Sequence, residues 1–433
     1  MIVLYLAAYG VSYLMARTDN YMLSGLLLVL AAVGLYIQEY MRTERLLDLR
    51  AVFSLFWVGG QGISCLKLSH LQEDWSNMTW LCFLAAYLAF WLGYELFAGG
   101  RRQRTSLPSP GGYNDPEKLF WCILGITGVS TACFLFEAVY LGFIPYFAPE
   151  PHAYSYFHVS GVHYFTVTCV MVPALTVLYV QGKRALGAGK IGALLLLNLA
   201  AFAIPFLCVS RFQLIFAIVL AVFTYMAGGK TLGLGQAALL GVGMVGLYVV
   251  LTIARKHDVA YLNGIFEMKN ANMPIFITQP YMYIANNYDN FNCLVNQLPA
   301  HTWGLRMLFP VFALTGLKFL KPELVAFPIY VTKTELTTVT LFYDAYYDFG
   351  IVGVAVFSLI LGLVCGLLCR HVENWKNPVG RLFYAQMGIY LMLSFFTTWF
   401  SNPTTWFWFA VTAAMAWFVG RRRGYAGGRV VKR

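Results

Sequence analysis

The chain has 433 residues, of which 59% are hydrophobic and only 11% are charged. Its mean hydropathy of +0.65 excludes an ordinary soluble domain and indicates a polytopic membrane protein. The formal net charge of +11 does not indicate a nucleic-acid partner, because the basic residues form short clusters between apolar runs rather than one basic face.

Apolar runs along the chain predict about 12 transmembrane helices, since about twenty apolar residues cross the hydrocarbon as a helix. These runs cover residues 1–16, 21–38, 51–66, 79–98, 119–141, 164–181, 191–209, 212–228, 233–254, 350–369, 382–400 and 405–420. We predict an all-α protein in three parts. They are a first bundle of about nine spans over 1–254, a large extracytoplasmic loop over 255–349, and the last three spans with a basic tail over 350–433.

The positions of Lys and Arg predict the orientation of these spans. With a cytoplasmic N-terminus, 20 of the 30 basic residues fall on the inner side. The short loops then obey the positive-inside rule, so both termini are expected in the cytoplasm and the 255–349 loop outside. The first apolar run lacks a basic leader segment, and we expect it to stay as a span.

The large loop contains two stretches, 274–298 and 303–320, that are too apolar to lie in water. Neither is long and uniform enough to be predicted as a span. We interpret them as helices that lie in the outer interface or dip into it, with Trp303 at headgroup depth. Together they are expected to form a lid over the bundle.

Arg211 stands between two apolar runs so short that they predict a tight outer hairpin. An arginine at bilayer depth costs about 2.5 to 3.5 kcal/mol, so it needs an anionic partner or a wet cavity. One interpretation is a phosphate ligand, and the other is an arginine that extends its side chain to the interface.

Arg255, Lys256 and His257 end a span on the same outer face. They are either an interfacial anchor or part of a phosphate site. In the second case Arg211 and Arg255 would clamp a diphosphate, because the guanidinium fork matches phosphate oxygens. Arg306 could add a third positive charge.

The motif before the span at 350 carries two carboxylates and several tyrosines: Tyr343, Asp344, Tyr346, Tyr347 and Asp348. The acids could be helix caps, because Asp favours a helix N-terminus. Alternatively, Asp348 or Asp344 orients a cationic or hydroxyl-bearing substrate while the tyrosines stack on sugar rings.

A proton acceptor is harder to choose. His301 is a candidate general base in an outer polar site, but it competes with other outer histidines. Glu137 and Glu95 lie at or near span ends, and each is either an acid satisfied by packing or part of a pathway.

Several chemical classes are disfavoured by missing patterns. The sequence has no phosphate-binding GxxxxGK[ST] loop, no GxGxxG followed by a nucleotide-binding βαβ unit, no HExxH and no GxSxG. Its nine cysteines are scattered singly and are expected to be packing residues. These absences favour a substrate that arrives already activated, and we expect no cofactor.

The motif order resembles one protein family. Gly142-Phe-Ile-Pro145, Ser210-Arg211, the large outer insert and Tyr343-x-x-Tyr346-x-Asp348-Phe349-Gly350-x-x-Gly353 are similar to the Wzy-type oligosaccharide repeat-unit polymerases. The similarity extends over roughly residues 45–400 and rests on short motifs within a common hydropathy profile.

The resemblance implies a glycosyltransferase of the GT-C type in the bacterial cytoplasmic membrane. We expect catalysis without a metal, because no acidic cluster in the sequence is typical of a divalent-ion site. Such enzymes move a glycan from undecaprenyl diphosphate onto a fresh lipid-linked repeat unit, outside the membrane. Chain-length regulators and flippases are the protein partners it implies. The resemblance matches Arg211 and Arg255 to the diphosphate. Two alternatives stay open: an O-antigen ligase, and a flippase or other transporter of lipid-linked oligosaccharide.

Overall fold

A computed structural model describes residues 2–98, 116–149, 153–183, 185–254, 259–372 and 374–421. The regular structure in these ranges is helical, and the only strand-like pairing is an isolated antiparallel bridge between Ser69 and Met268. The all-α prediction is therefore confirmed for the described residues.

Eleven α-helices precede the large loop within the described ranges. They are α1 (Ile2–Arg17), α2 (Tyr21–Thr43), α3 (Leu49–Phe53), α4 (Gly59–Ser64), α5 (Asn77–Ala98), α6 (Glu117–Leu141), α7 (Val162–Thr166), α8 (Val172–Gln181), α9 (Ala188–Leu207), α10 (Arg211–Ala227) and α11 (Leu234–Ala254). Short π and 3₁₀ segments, Ser54–Val58 and Val167–Met171, join α3 to α4 and α7 to α8.

The loop itself is ordered as helices and turns where it is described. It contains α12 (Val259–Phe266), α13 (Ile275–Gln297), α14 (Phe309–Leu314) and α15 (Leu317–Leu320). Helix α13 matches the predicted stretch 274–298 and packs against α4, α5 and α12. The stretch 303–320 is not one helix, because a turn precedes α14 and Gly316, with φ 76°, separates α14 from α15.

Up to residue 421, where the description ends, three α-helices follow the loop: α16 (Tyr343–His371), α17 (Val379–Met392) and α18 (Pro403–Gly420). Helix α16 begins at Tyr343 rather than at residue 350 and is kinked at Gly350, where φ is 62° and ψ is −150°. It crosses α5 at very short range. At Gly362 the two backbones are so close that a Cβ atom would overlap the carbonyl oxygen of Phe90. Small residues allow such close contact between membrane helices.

Six helical segments in the described ranges are long and apolar enough to cross a membrane. They are Tyr21–Thr43, Asn77–Ala98, Glu117–Leu141, Val162–Gln181, Ala188–Leu207 and Tyr343–His371. Ile2–Arg17 and Arg211–Ala227 are shorter apolar helices. The chain is thus a polytopic helical membrane protein, and the finer prediction of about 12 spans stays a prediction.

Candidate active site

The turn between α9 and α10 brings Arg211 to the first position of a helix. Ser210 is the N-cap residue, and its Oγ accepts a hydrogen bond from the backbone N–H of Gln213 at 3.4 Å. Val209 has φ 53°, a left-handed conformation that is strained for a β-branched residue. Such strain costs about 1 to 3 kcal/mol and is typical of functional positions.

Arg211 is buried, with 7% of its surface exposed. Its guanidinium group lies 3.5 Å from Oε1 of Gln279, in the first half of the loop helix α13. Gln279 in turn donates to the hydroxyl of Tyr283 at 3.2 Å. The structure therefore brings Arg211 together with the large loop, although 68 residues separate Arg211 from Gln279.

Two sources of positive charge meet at the start of α10. The N-terminus of a helix carries a partial positive charge, so a cation there is unfavourable by about 0.3 to 1 kcal/mol. Arg211 adds a full positive charge at the first residue of α10, in a buried place. Helix N-termini bind phosphate groups readily, and a guanidinium group strengthens such a site.

Arg306 is placed differently, in an internal ion pair. Its guanidinium lies 2.7 Å from the carboxylate of Asp344 and is stacked over the ring of Tyr347, 4.7 Å from the centroid. Burial alone would lower the pKa of Arg306, but the charge and hydrogen bond of Asp344, with the nearby Tyr343 and Tyr347, together outweigh burial and raise the pKa. Arg306 and Asp344 therefore bind each other.

Asp348 holds the turn that precedes α14. Its carboxylate accepts hydrogen bonds from the backbone N–H groups of Arg306 at 3.1 Å and Met307 at 2.8 Å, and from the hydroxyl of Thr302. Asp348 is fully buried. With these three bonds Asp348 stabilises backbone structure, which is the kind of role that the capping interpretation expects. The backbone it stabilises is a neighbouring turn and not the start of its own helix.

The tyrosines of the motif also hold the loop. The hydroxyl of Tyr343 donates to the carbonyl oxygen of Tyr330 at 3.0 Å and accepts from its N–H at 2.8 Å. Tyr343 is fully buried and Tyr346 is 8% exposed. Their faces are covered by protein in this arrangement, so stacking on a sugar ring stays a prediction.

His301 lies beside the kink in α16. Its Nδ1 is 3.2 Å from the carbonyl oxygen of Tyr347, and because a carbonyl only accepts, Nδ1 is the donor. Nε2 is then the acceptor atom. It faces Gly350, where a Cβ atom would lie only 3.1 Å away. This close approach and the positive φ of Gly350 both favour glycine at the position.

The remaining predicted ligands, Arg255, Lys256 and His257, lie outside the described residues. Of the two acids left open by the sequence, Glu95 accepts from Arg50 and from Arg42 at 3.4 Å, and so belongs to an ion-pair network. Glu137 is paired with a histidine, as described below. Among the described residues, no three His, Cys, Asp or Glu side chains form a group able to hold a metal ion.

The buried ion pair between Lys67 and Asp289 was not predicted from the sequence. Asp289 in α13 is 2% exposed and accepts from Lys67 at 2.5 Å, Gln72 at 2.6 Å, Trp75 at 2.8 Å and Ser64 at 3.2 Å. A signal was present, because a charged residue in a stretch too apolar for water needs a partner of opposite charge. The pair fastens α13 to the first bundle.

Comparison of the chain with family models, with curated proteins and with solved structures found no match.

Proposed function

We propose that this chain is a membrane glycosyltransferase that polymerises undecaprenyl-diphosphate-linked repeat units into a surface polysaccharide on the outer side of the cytoplasmic membrane. The observation that carries the proposal is the buried guanidinium of Arg211 at the start of α10, beside the loop helix α13. The similarity of its motifs to the Wzy-type polymerases supports the same assignment.

The proposed reaction needs a place for negative charge. A hydroxyl of the acceptor sugar forms a bond to the anomeric carbon of the donor glycan, and the bond from that carbon to the diphosphate oxygen breaks. The electron pair leaves on the diphosphate, and the hydroxyl proton goes to a base. Arg211 and the amides of the first turn of α10 would stabilise the charge that develops on the leaving diphosphate.

The proposed architecture is of the GT-C type, with about 12 spans, both termini in the cytoplasm and the large loop outside. The buried polar face of α13 supports an ordered loop rather than a linker, and Gln279 on this helix contacts Arg211. Gln279, Asn286 and Asn290 on this helix are each no more than 1% exposed. Polar side chains are buried at this density only where they have hydrogen-bond partners or serve a function.

The test is elongation by the purified protein in liposomes with lipid-linked repeat units as the only substrate. The wild-type protein is expected to make a ladder of glycan lengths. Arg211→Ala is expected to slow elongation by about 10²- to 10³-fold, as for other lost contacts to a developing charge. Arg211→Lys should also be slow, because an ammonium group lacks the two-pronged fork.

Arg17→Ala is the matched control. Arg17 is an exposed arginine at the end of α1, where it contacts the carbonyl oxygen of Trp75 at 3.2 Å. Its loss should leave elongation near the wild-type rate. An Arg211→Ala protein that elongates as fast as the Arg17→Ala protein would remove the main support for the proposal.

The same assay separates the alternatives. A ligase would make no ladder from repeat units alone and would need a lipid-core acceptor. A transporter would move lipid-linked oligosaccharide across the liposome bilayer without lengthening it. Either result would replace the polymerase assignment.

A further inference from the structure

A buried carboxylate and a histidine form a pair at the end of α6, apart from the large loop. Glu137 has no exposed surface in its side chain, whereas 29% of the His163 side chain is exposed. Nδ1 of His163 lies 3.1 Å from both carboxylate oxygens of Glu137. The carboxylate also accepts from the backbone N–H of Val159 at 2.9 Å and from the hydroxyl of Thr166 at 2.7 Å.

This geometry fixes the roles of the two imidazole nitrogens. The carboxylate of Glu137 is a hydrogen-bond acceptor for each of these neighbours. Nδ1 of His163 therefore carries a hydrogen and donates a hydrogen bond to the carboxylate. Nε2 is then the basic atom, on the part of the ring that is not held by Glu137. A carboxylate that orients an imidazole and stabilises its protonated form is a recurring arrangement for proton transfer.

The pair belongs to the same region as the turn that carries Arg211. Helix α6, which carries Glu137, packs against α9 and against the segment Val167–Met171. Helix α9 ends at Leu207, four positions before Arg211. The segment Val167–Met171, which follows His163, packs against α10.

We propose that His163, oriented by Glu137, accepts the proton of the attacking sugar hydroxyl. This inference rests on the proposed function. The hydroxyl O–H bond breaks and its proton goes to Nε2 of His163, while the oxygen forms the new bond to the anomeric carbon. The bond to the diphosphate breaks at the same time, and its electron pair leaves on the phosphate oxygen beside Arg211. Glu137 is a positioning residue.

His163 fits this role better than His301. Nδ1 of His301 donates to a neutral carbonyl oxygen, that of Tyr347, which gives a protonated ring less stabilisation than a carboxylate does. Nε2 of His301 also faces the backbone at Gly350. His163 has a carboxylate on one side and exposed surface on the ring.

The test compares two replacements of His163 in the elongation assay. His163→Asn keeps an N–H donor near the position of Nδ1 and so keeps the hydrogen bond to Glu137, but it cannot accept a proton. Its thermal unfolding should match wild type while its rate falls by about 10²- to 10⁴-fold, the usual contribution of a general base. His163→Ala should be equally slow, and added imidazole should restore part of its rate.

His158→Ala is the matched control, because this histidine lies next to His163 with ring centroids 6.4 Å apart. It should elongate at the wild-type rate, with no response to imidazole. Glu137→Gln should lower kcat more than it changes KM. A near-normal rate for His163→Asn, or a His163→Ala protein that imidazole does not accelerate, would overturn this inference alone. A wild-type protein that makes no ladder would overturn the proposed function, and this inference with it.

Discussion

Arg211 contacts the large loop and Arg306 belongs to it. The guanidinium groups of these two arginines have different surroundings. Arg306 is neutralised by Asp344 at 2.7 Å and covered by the ring of Tyr347. Arg211 is the first residue of a helix, and one of its contacts is Oε1 of Gln279 at 3.5 Å. The first environment stabilises the fold, and the second places a buried guanidinium group at a helix N-terminus, a position that binds phosphate groups readily.

The two arginines look alike in the sequence, and only their surroundings separate a stabilising role from a role in the reaction. Arg306, Asp344 and Asp348 form a joint that holds the turn before α14 against the start of α16. The turn between α9 and α10 instead uses a strained Val209 to place one cation. Stability should therefore respond to changes in the joint, and the reaction rate should respond to changes near Arg211.

Arg306→Met is expected to have the largest effect on stability. It leaves the carboxylate of Asp344, which is only 6% exposed, without its partner. Removing one member of a buried pair costs about 3 to 5 kcal/mol, and the lower end applies here because the Arg306 side chain is 19% exposed. Thermal unfolding in detergent measures the loss.

The double variant Arg306→Met with Asp344→Asn removes both charges and should recover most of that stability. For both the single and the double variant, the fraction of protein that remains folded should elongate glycan faster than Arg211→Ala does, at a rate closer to that of the wild-type protein. If Arg306→Met unfolds like wild type but elongates as slowly as Arg211→Ala, Arg306 is a phosphate ligand and the comparison is wrong.

Gln279→Glu should affect the rate rather than the stability. It places a carboxylate beside Arg211, where that carboxylate competes with the diphosphate for the guanidinium group. A hydrogen bond to a charged group is worth about 1.5 to 3 kcal/mol, which is roughly a ten- to hundredfold loss in elongation rate. The elongation assay in liposomes measures this loss.

Gln279→Ala is the control for that change, because it removes the contact without adding charge. Its effect should be smaller than that of Gln279→Glu. Equal rates for the two variants would show that the amide, and not the charge of Arg211, is what matters at this position.

The sequence predicted the helices well where hydropathy alone decides. The run at 119–141 became Glu117–Leu141, and the loop stretch 274–298 became Ile275–Gln297. It failed where charges are buried by pairing. Helix α2 continues to Thr43 instead of ending near 38, because Glu39 is buried against Arg50 and bonded to Arg42.

Only part of the candidate site was predicted, because the pairing of buried charges could not be read from the sequence here either. Arg211 could be chosen because a cation at a span end is costly wherever it is buried. The partners of Asp289 and Glu137 could not be chosen, because contacts such as Lys67 to Asp289 join residues 222 positions apart. Local patterns carry no information about such pairs, which form only when the bundle packs.

Ser210→Ala should give the smallest change and test the turn itself. The Oγ of Ser210 accepts from Gln213 N–H at 3.4 Å, a long bond, and an N-cap is worth about 1 kcal/mol. Ser210→Asn keeps an acceptor at the cap and should unfold at the wild-type temperature. A loss for Ser210→Ala as large as that expected for Arg306→Met would mean that the turn before α10 also holds the fold, and the division between the two regions would fail.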